Sequence, residues 1–170
     1  NSCVSFCTDR YVDIELVVND RQGLKIPNSA IAEKEFFIIP ADYMTKGGPN
    51  GNYGVLKEKA DENGNLVNEF IETDVYSSDE KEFYIDSSDL EVGDYICKMD
   101  STDKMAISAT GVLTGVYNMN KGYADFKQIT VLAQNDEYSI VSSNTQYGLT
   151  VYDRIVLDAT SVSNNDFIYN

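Results

Sequence analysis

The sequence predicts an all-β protein, and three observations carry that expectation. Short segments rich in Tyr, Phe, Ile and Val recur along the chain, bounded by Gly, Asn, Asp and Ser. No apolar stripe at i, i+3, i+4, i+7 persists for three turns. Asn- and Gly-containing links between the segments suit the positive φ of tight hairpins.

The segments follow in order. "YVDIELVV" (11–18) alternates Val12, Ile14 and Leu16 against Asp13 and Glu15. Further strands are expected over 68–76, 81–86, 93–99, 123–132, 137–142 and 152–159. "ADENGN" and "MNKGY" read as hairpin turns, and single helical turns are expected near "NSAIAEK" and "SSDL". "DENGN" is not a calcium loop, since Gly64 stands fourth and not sixth.

An internal repeat is visible. The stretch from Gly54 and the stretch from Gly115 both open on Gly-Val. Each continues with an acid-Phe pair (Glu69-Phe70; Asp125-Phe126), then Val75 or Val131, then Phe83-x-Ile85 or Tyr138-x-Ile140. A leucine follows (Leu90; Leu149), and then Asp-x-Ile (Asp94 and Ile96; Asp153 and Ile155). A duplicated four-strand module is expected, with modules at 36–104 and 105–170. Residues 1–35 are expected to supply strands of a truncated barrel.

Two of the three prolines, Pro27 and Pro40, follow isoleucine. Proline cannot donate to a ladder and holds the preceding residue extended. Each Ile-Pro is therefore read as a point where the chain steps from one sheet to the next, with the isoleucine facing inward. Asp94 and Asp153 are read as turn-formers, because a carboxylate there can accept backbone N–H bonds.

The formal net charge of −15 argues equally against nucleic acid as a partner and against docking on an anionic membrane surface. Between Gly51 and Met105 there are 15 Asp and Glu against 5 Lys, read as a solvated surface. No apolar run is long enough to span a bilayer, so no direct membrane insertion is expected. The chain lacks histidine, and its three cysteines cannot make a four-thiolate zinc site. Cys3 and Cys7 stand too far apart on an extended strand to bridge, and Cys97 is read as a core thiol. No nucleophile elbow or phosphate loop is present. Neither enzymatic activity nor a cofactor nor a metal is expected.

The order of a strand, "GLKIPNSAI", Gly-Val-Tyr, a hairpin turn, "FKQITVL", "EYSIV" and "YGLTVYDRIVLDA" resembles a known family. It is similar to the C-terminal part of periplasmic adaptor, or membrane fusion, proteins of the hemolysin-secretion-D type, especially those of Gram-positive Firmicutes. There an Ile-Pro or Val-Pro leaves the β-barrel domain, and a Gly-Leu-x-x-x-Asp-x-Ile/Val-Val segment closes a membrane-proximal domain. Gly148, Leu149, Asp153, Ile155 and Val156 fit that closing pattern, and Gly23 opens the segment carrying Pro27. The resemblance departs in one respect, since a typical member carries one closing module and this chain carries two.

The resemblance implies an extracytoplasmic fragment of an adaptor, in a parent anchored by an N-terminal membrane helix. Asn1 is not a natural initiator, which fits a fragment. The implied partners are a membrane transporter or envelope protein, with self-association in the full-length parent. The alternative is a surface β domain that holds cell-wall glycan or another ligand on exposed tyrosines, since the chain has 12 Tyr and no Trp. Exposure of Tyr53, Tyr76, Tyr84, Tyr117, Tyr123 and Tyr147 separates the two.

Overall fold

The computed structural model describes residues 23–163, and the expected strand at 11–18 and Cys3 and Cys7 lie outside them. The described residues are all-β, with 55% of them in strands, and form one nearly closed barrel sheet and one half-barrel sheet. The strands are β1 (Gly23–Pro27), β2 (Ile31–Pro40), β3 (Met44–Gly47), β4 (Asn52–Ala60), β5 (Leu66–Glu72), β6 (Asp74–Ser78) and β7 (Glu82–Asp86). They continue with β8 (Tyr95–Cys97), β9 (Lys104–Ala106), β10 (Thr110–Asn120), β11 (Tyr123–Gln128), β12 (Val131–Gln134) and β13 (Tyr138–Ser142). Three sheets result, ordered β1-β13-β12, β11-β10-β2-β7-β6 and β3-β4-β8-β9, with β5 added on β4.

Two of the expected strands are each split. The run 68–76 breaks at Thr73, whose N–H donates to the Tyr53 carbonyl (3.0 Å). The run 123–132 breaks at Ile129, whose N–H donates to Thr114 (3.0 Å). In each case the chain leaves one sheet and enters another. Residues 152–159 form no named strand; Ile155 makes a single antiparallel bridge to Asn118. Of the expected helical turns, Asn28–Ala30 is a 3-10 turn, and Ile31–Pro40 continues from it as a strand.

Pairing shows two copies of one β unit. In one copy β3 pairs with β4 (Met44 opposite Val55), β4 with β5 (Leu56 opposite Phe70) and β4 with β8 (Lys57 opposite Ile96). In the other, β2 pairs with β10 (Ile31 opposite Val116), β10 with β11 (Tyr117 opposite Phe126), and Ile155 bridges Asn118. The remaining hairpins agree as well. Val75 faces Ile85 with a register shift before Ser77, and Val131 faces Val141 with a shift before Ala133.

The copies are nested. The β3–β4 hairpin of the inner copy is joined by residues 48–51. The matching β2–β10 hairpin of the outer copy is joined by everything from 38 to 109, and Phe37 stands directly opposite Thr110 where the inner copy enters and leaves. Strand β2 serves both units, pairing with β10 over 31–37 and with β7 over 37–40. The boundary expected at 35/36 thus falls inside β2, and that at 104/105 inside β9.

Each unit has its own core, filled at matching positions. The inner core holds Ile39, Val55, Ile85, Leu90 and Ile96. The outer core holds Ile26, Val116, Val141 and Leu149, with Ile155 packed against them. A third cluster, Phe36, Tyr76, Leu113, Tyr117, Ala124 and Phe126, joins β6 of the inner unit to β2, β10 and β11 of the outer. Its rings lie at tilted or edge-on angles, with Phe36–Tyr76 centroids 4.7 Å and Tyr117–Phe126 centroids 5.8 Å apart.

Candidate functional site

The two Ile-Pro pairs hold equivalent places. Ile26 and Ile39 are buried, and Pro27 and Pro40 end β1 and β2 opposite Tyr138 and Glu82. A 3-10 turn follows each proline, over Asn28–Ala30 and Ala41–Tyr43. The first N–H beyond each proline still bonds the neighbouring chain: Asn28 donates to Glu137 (3.0 Å) and Ala41 to Lys81 (2.7 Å). The chain then changes sheet, from β1 to β2 and from β2 to β3. At the start of β1, Gly23 leaves room for its neighbours: a Cβ there would lie 2.9 Å from the Val141 carbonyl oxygen.

The aspartates also match. Asp94 Oδ2 accepts from the Glu91 N–H at 2.8 Å, and Asp153 Oδ2 from the Thr150 N–H at 2.8 Å. Each aspartate's own N–H returns to the carbonyl of that same residue, at 3.1 and 3.2 Å. The leucines that precede them, Leu90 and Leu149, are buried, so the turn pins a core side chain as well as the strand start. Gly148 donates to Thr145 (3.1 Å) and packs so closely that a Cβ would lie 3.1 Å from the Gln128 carbonyl.

The two turns differ in charge. Lys57 Nζ lies 2.7 Å from Asp94 Oδ2 and donates to the Asp89 carbonyl at 2.9 Å. Burial pushes the Asp94 carboxyl up, but the Lys57 hydrogen bond, the Glu91 N–H and the Lys57 charge outweigh it and hold it below its ordinary value. The residue matching Lys57 in the outer unit is Asn118, which is buried and carries no charge. Asp94 and Asp153, with Gly148, thus belong to two closing turns in separate units, while Gly23, Pro27 and Pro40 lie on β1 and β2.

A cleft of about 520 Å³ lies where β6 and β11, the outermost strands of the five-stranded sheet, approach each other. Buried Tyr76 and Phe126 line it, with Tyr123, Tyr147, Asn120 and Gln146. The Tyr147 hydroxyl is fixed by Ser78 Oγ (2.8 Å) and Gln146 Nε2 (3.1 Å). Asp74, Asp125, Lys121 and Lys127 complete it, and Lys127 pairs with Asp125 at 3.1 Å. Asp74 is pushed above its ordinary value, first by burial and then by the Asp125, Asp86 and Glu72 carboxylates. The MNKGY turn sets one wall: Lys121 (φ 50°) and Gly122 (φ 90°) both take the left-handed conformation of a type I′ hairpin.

The six tyrosines do not form an exposed row. Tyr76 and Tyr117 are buried, Tyr53, Tyr84 and Tyr147 are half-buried, and Tyr123 is 49% exposed. Three of them, Tyr76, Tyr123 and Tyr147, converge on the cleft from 71 residues of sequence. The repeat offered no signal for this, because the cleft arises between the two copies. Cys97 is buried on β8. Among the described residues no group of three or more Cys, Asp and Glu is arranged to hold a metal ion.

No family model matches the chain, and no curated protein and no solved structure is detectably similar to it. The assignment of function therefore rests on the chain's own residues and geometry.

Proposed function

We propose that this chain is a non-catalytic, extracytoplasmic β region of a membrane-anchored adaptor, joining a membrane transporter or envelope complex to the cell exterior. One observation carries the reading. The Leu-x-x-x-Asp-x-Ile segment suggested by the adaptor resemblance acts as a closing device, twice, at Leu90–Asp94–Ile96 and Leu149–Asp153–Ile155. Each seats a leucine in the core, turns on an aspartate, and lays an isoleucine against the long central strand of its unit. Closure of this kind ties each strand start to a core leucine, as suits a scaffold between two larger assemblies. The surface of net charge −15 suits repulsion between isolated copies, leaving assembly to other parts of the parent.

The test is made on the parent chain in its own cell. Membrane fractionation and in-cell cross-linking through cysteines placed on exposed β5 positions should find the parent in the membrane fraction and joined to a transport or envelope protein. A parent that fractionates wholly away from membranes, with no cross-link to such a protein, overturns the proposal.

A further inference from the structure

The cleft between β6 and β11 joins aromatic faces to convergent polar groups. Its volume of about 520 Å³ lies within the roughly 300–1,000 Å³ usual for small-molecule sites. Its charged lining is balanced, two carboxylates (Asp74, Asp125) against two ammonium groups (Lys121, Lys127), although the chain as a whole is strongly acidic. Charge therefore does not select its ligand. The aromatic lining offers apolar surface to the C–H face of a ring, while the amides of Asn120 and Gln146 and the two carboxylates offer donors and acceptors around it. The fixed Tyr147 hydroxyl adds a pre-oriented polar atom on the same wall.

We infer that this cleft binds a short neutral oligosaccharide, with the Tyr123 ring against a sugar face and Asp74, Asn120 and Gln146 bonding its hydroxyls. A hydroxyl donor suits Asp74 in particular. Asp74 is an exposed residue on the cleft wall; partial burial of its carboxylate, then the Asp125, Asp86 and Glu72 charges, disfavour its ionised form, with Lys34 a weaker opposing influence. A neutral donor relieves that position without bringing another anion into it. The cleft is lined by β6, β10, β11, the 121–122 turn and residues 146–147 of this one chain, so its binding can be tested without a transporter partner.

The test is titration of the 170-residue chain with N-acetylglucosamine trimer and with cellotriose, read by NMR shifts and by tyrosine fluorescence, which no tryptophan obscures. Saturable binding of at least one sugar is expected, weakened tenfold or more by Tyr123→Ala and by Asp74→Ala. Tyr138→Ala, at a 38% exposed tyrosine that carries Lys25 over its ring and is not part of the cleft, should leave binding unchanged. Far-ultraviolet circular dichroism melts establish that each variant is folded. No saturable response to either sugar overturns the inference, as does equal weakening by Tyr138→Ala. Saturation by an oligolysine peptide in place of the sugars would also overturn it, by showing a site selected by charge.

Discussion

Gly54 and Gly115 stand at the same point of two matching hairpins, each beneath the ring of a phenylalanine on the opposite strand. A Cβ on Gly54 would lie 2.5 Å from Phe70 Cζ and closer still to the Ile71 carbonyl oxygen. On Gly115 it would lie 2.6 Å from Phe126 Cε1 and closer still to the Lys127 carbonyl oxygen. A ring can shift, but a carbonyl held in a ladder cannot. Gly54→Ala and Gly115→Ala should each destabilise by about 1–3 kcal/mol, the usual range for overpacking. Urea melts check this, and a variant as stable as wild type would mean that the strands separate without cost.

The aspartate turns should respond differently to the same changes. Asp153→Asn keeps an oxygen for the Thr150 N–H and should be mild, while Asp153→Ala should lose on the order of 1 kcal/mol. Asp94→Asn also loses the Lys57 ion pair and should cost more than Asp153→Asn. Urea midpoints equal to wild type for both Asp153→Asn and Asp153→Ala would leave Asp153 with no turn role, and one equal to wild type for Asp94→Asn would leave the Lys57 pair with none.

Asp94 and Asp74 should have opposite pH signatures. Asp94 is held below the ordinary aspartate value, so its stabilisation is present above that value and is lost as pH falls through the lower folded value. The deficit of Asp94→Asn should therefore be full at neutral pH and vanish in acid. Asp74 is raised, so its charged form costs stability above its folded value, and the cost is relieved as pH falls through it. Asp74→Asn should be more stable than wild type at pH 7, by less than about 1 kcal/mol, with the gain disappearing in acid. Urea midpoints measured from pH 2 to pH 7 check both signs.

Tyr152 lies in the left-handed region at φ 79°, where the inner unit has Gly93 at φ 100°. Its side chain is 96% exposed, so packing gives little in return. Tyr152→Gly should stabilise by about 1 kcal/mol, because a side chain in this conformation costs about 1–2 kcal/mol and glycine almost nothing. A lower thermal midpoint for the variant would contradict this.

The nested arrangement predicts an excisable unit. Phe37 faces Thr110 across β2 and β10, so both ends of the insertion meet at one point. The inner core of Ile39, Val55, Ile85, Leu90, Ile96 and Ile107 lies wholly within residues 37–109. That fragment should give a β-type circular dichroism spectrum and a cooperative urea transition, at reduced stability because Tyr76 loses Phe36 and Phe126. A non-cooperative transition would show that the inner unit cannot fold without the outer.

The residues by themselves determined the all-β class, the strands β5 to β8 and β11 to β13, the hairpin turns, the inward isoleucines before Pro27 and Pro40, and most of the matched features after Gly54 and Gly115. These are local: alternation, turn chemistry and the missing N–H of proline act over a few residues. The long strands β2, β4 and β10 were not among those expected, and Ile85 corresponds to Val141, one residue beyond the Ile140 that the repeat matched to it. Thr73 and Ile129 were not legible as breaks, because each carries a side chain that suits a strand and the change of sheet is set by a distant carbonyl. Nor could the order of the copies be read. The Phe37–Thr110 pair joins residues 73 apart, and nothing in the pattern of β2 marks that its two halves serve different units. The cleft was hidden for the same reason. Tyr76 belongs to one copy and Tyr123 to the other, and only the packing of β6 toward β11 around Phe36 and Phe126 brings them to one recess.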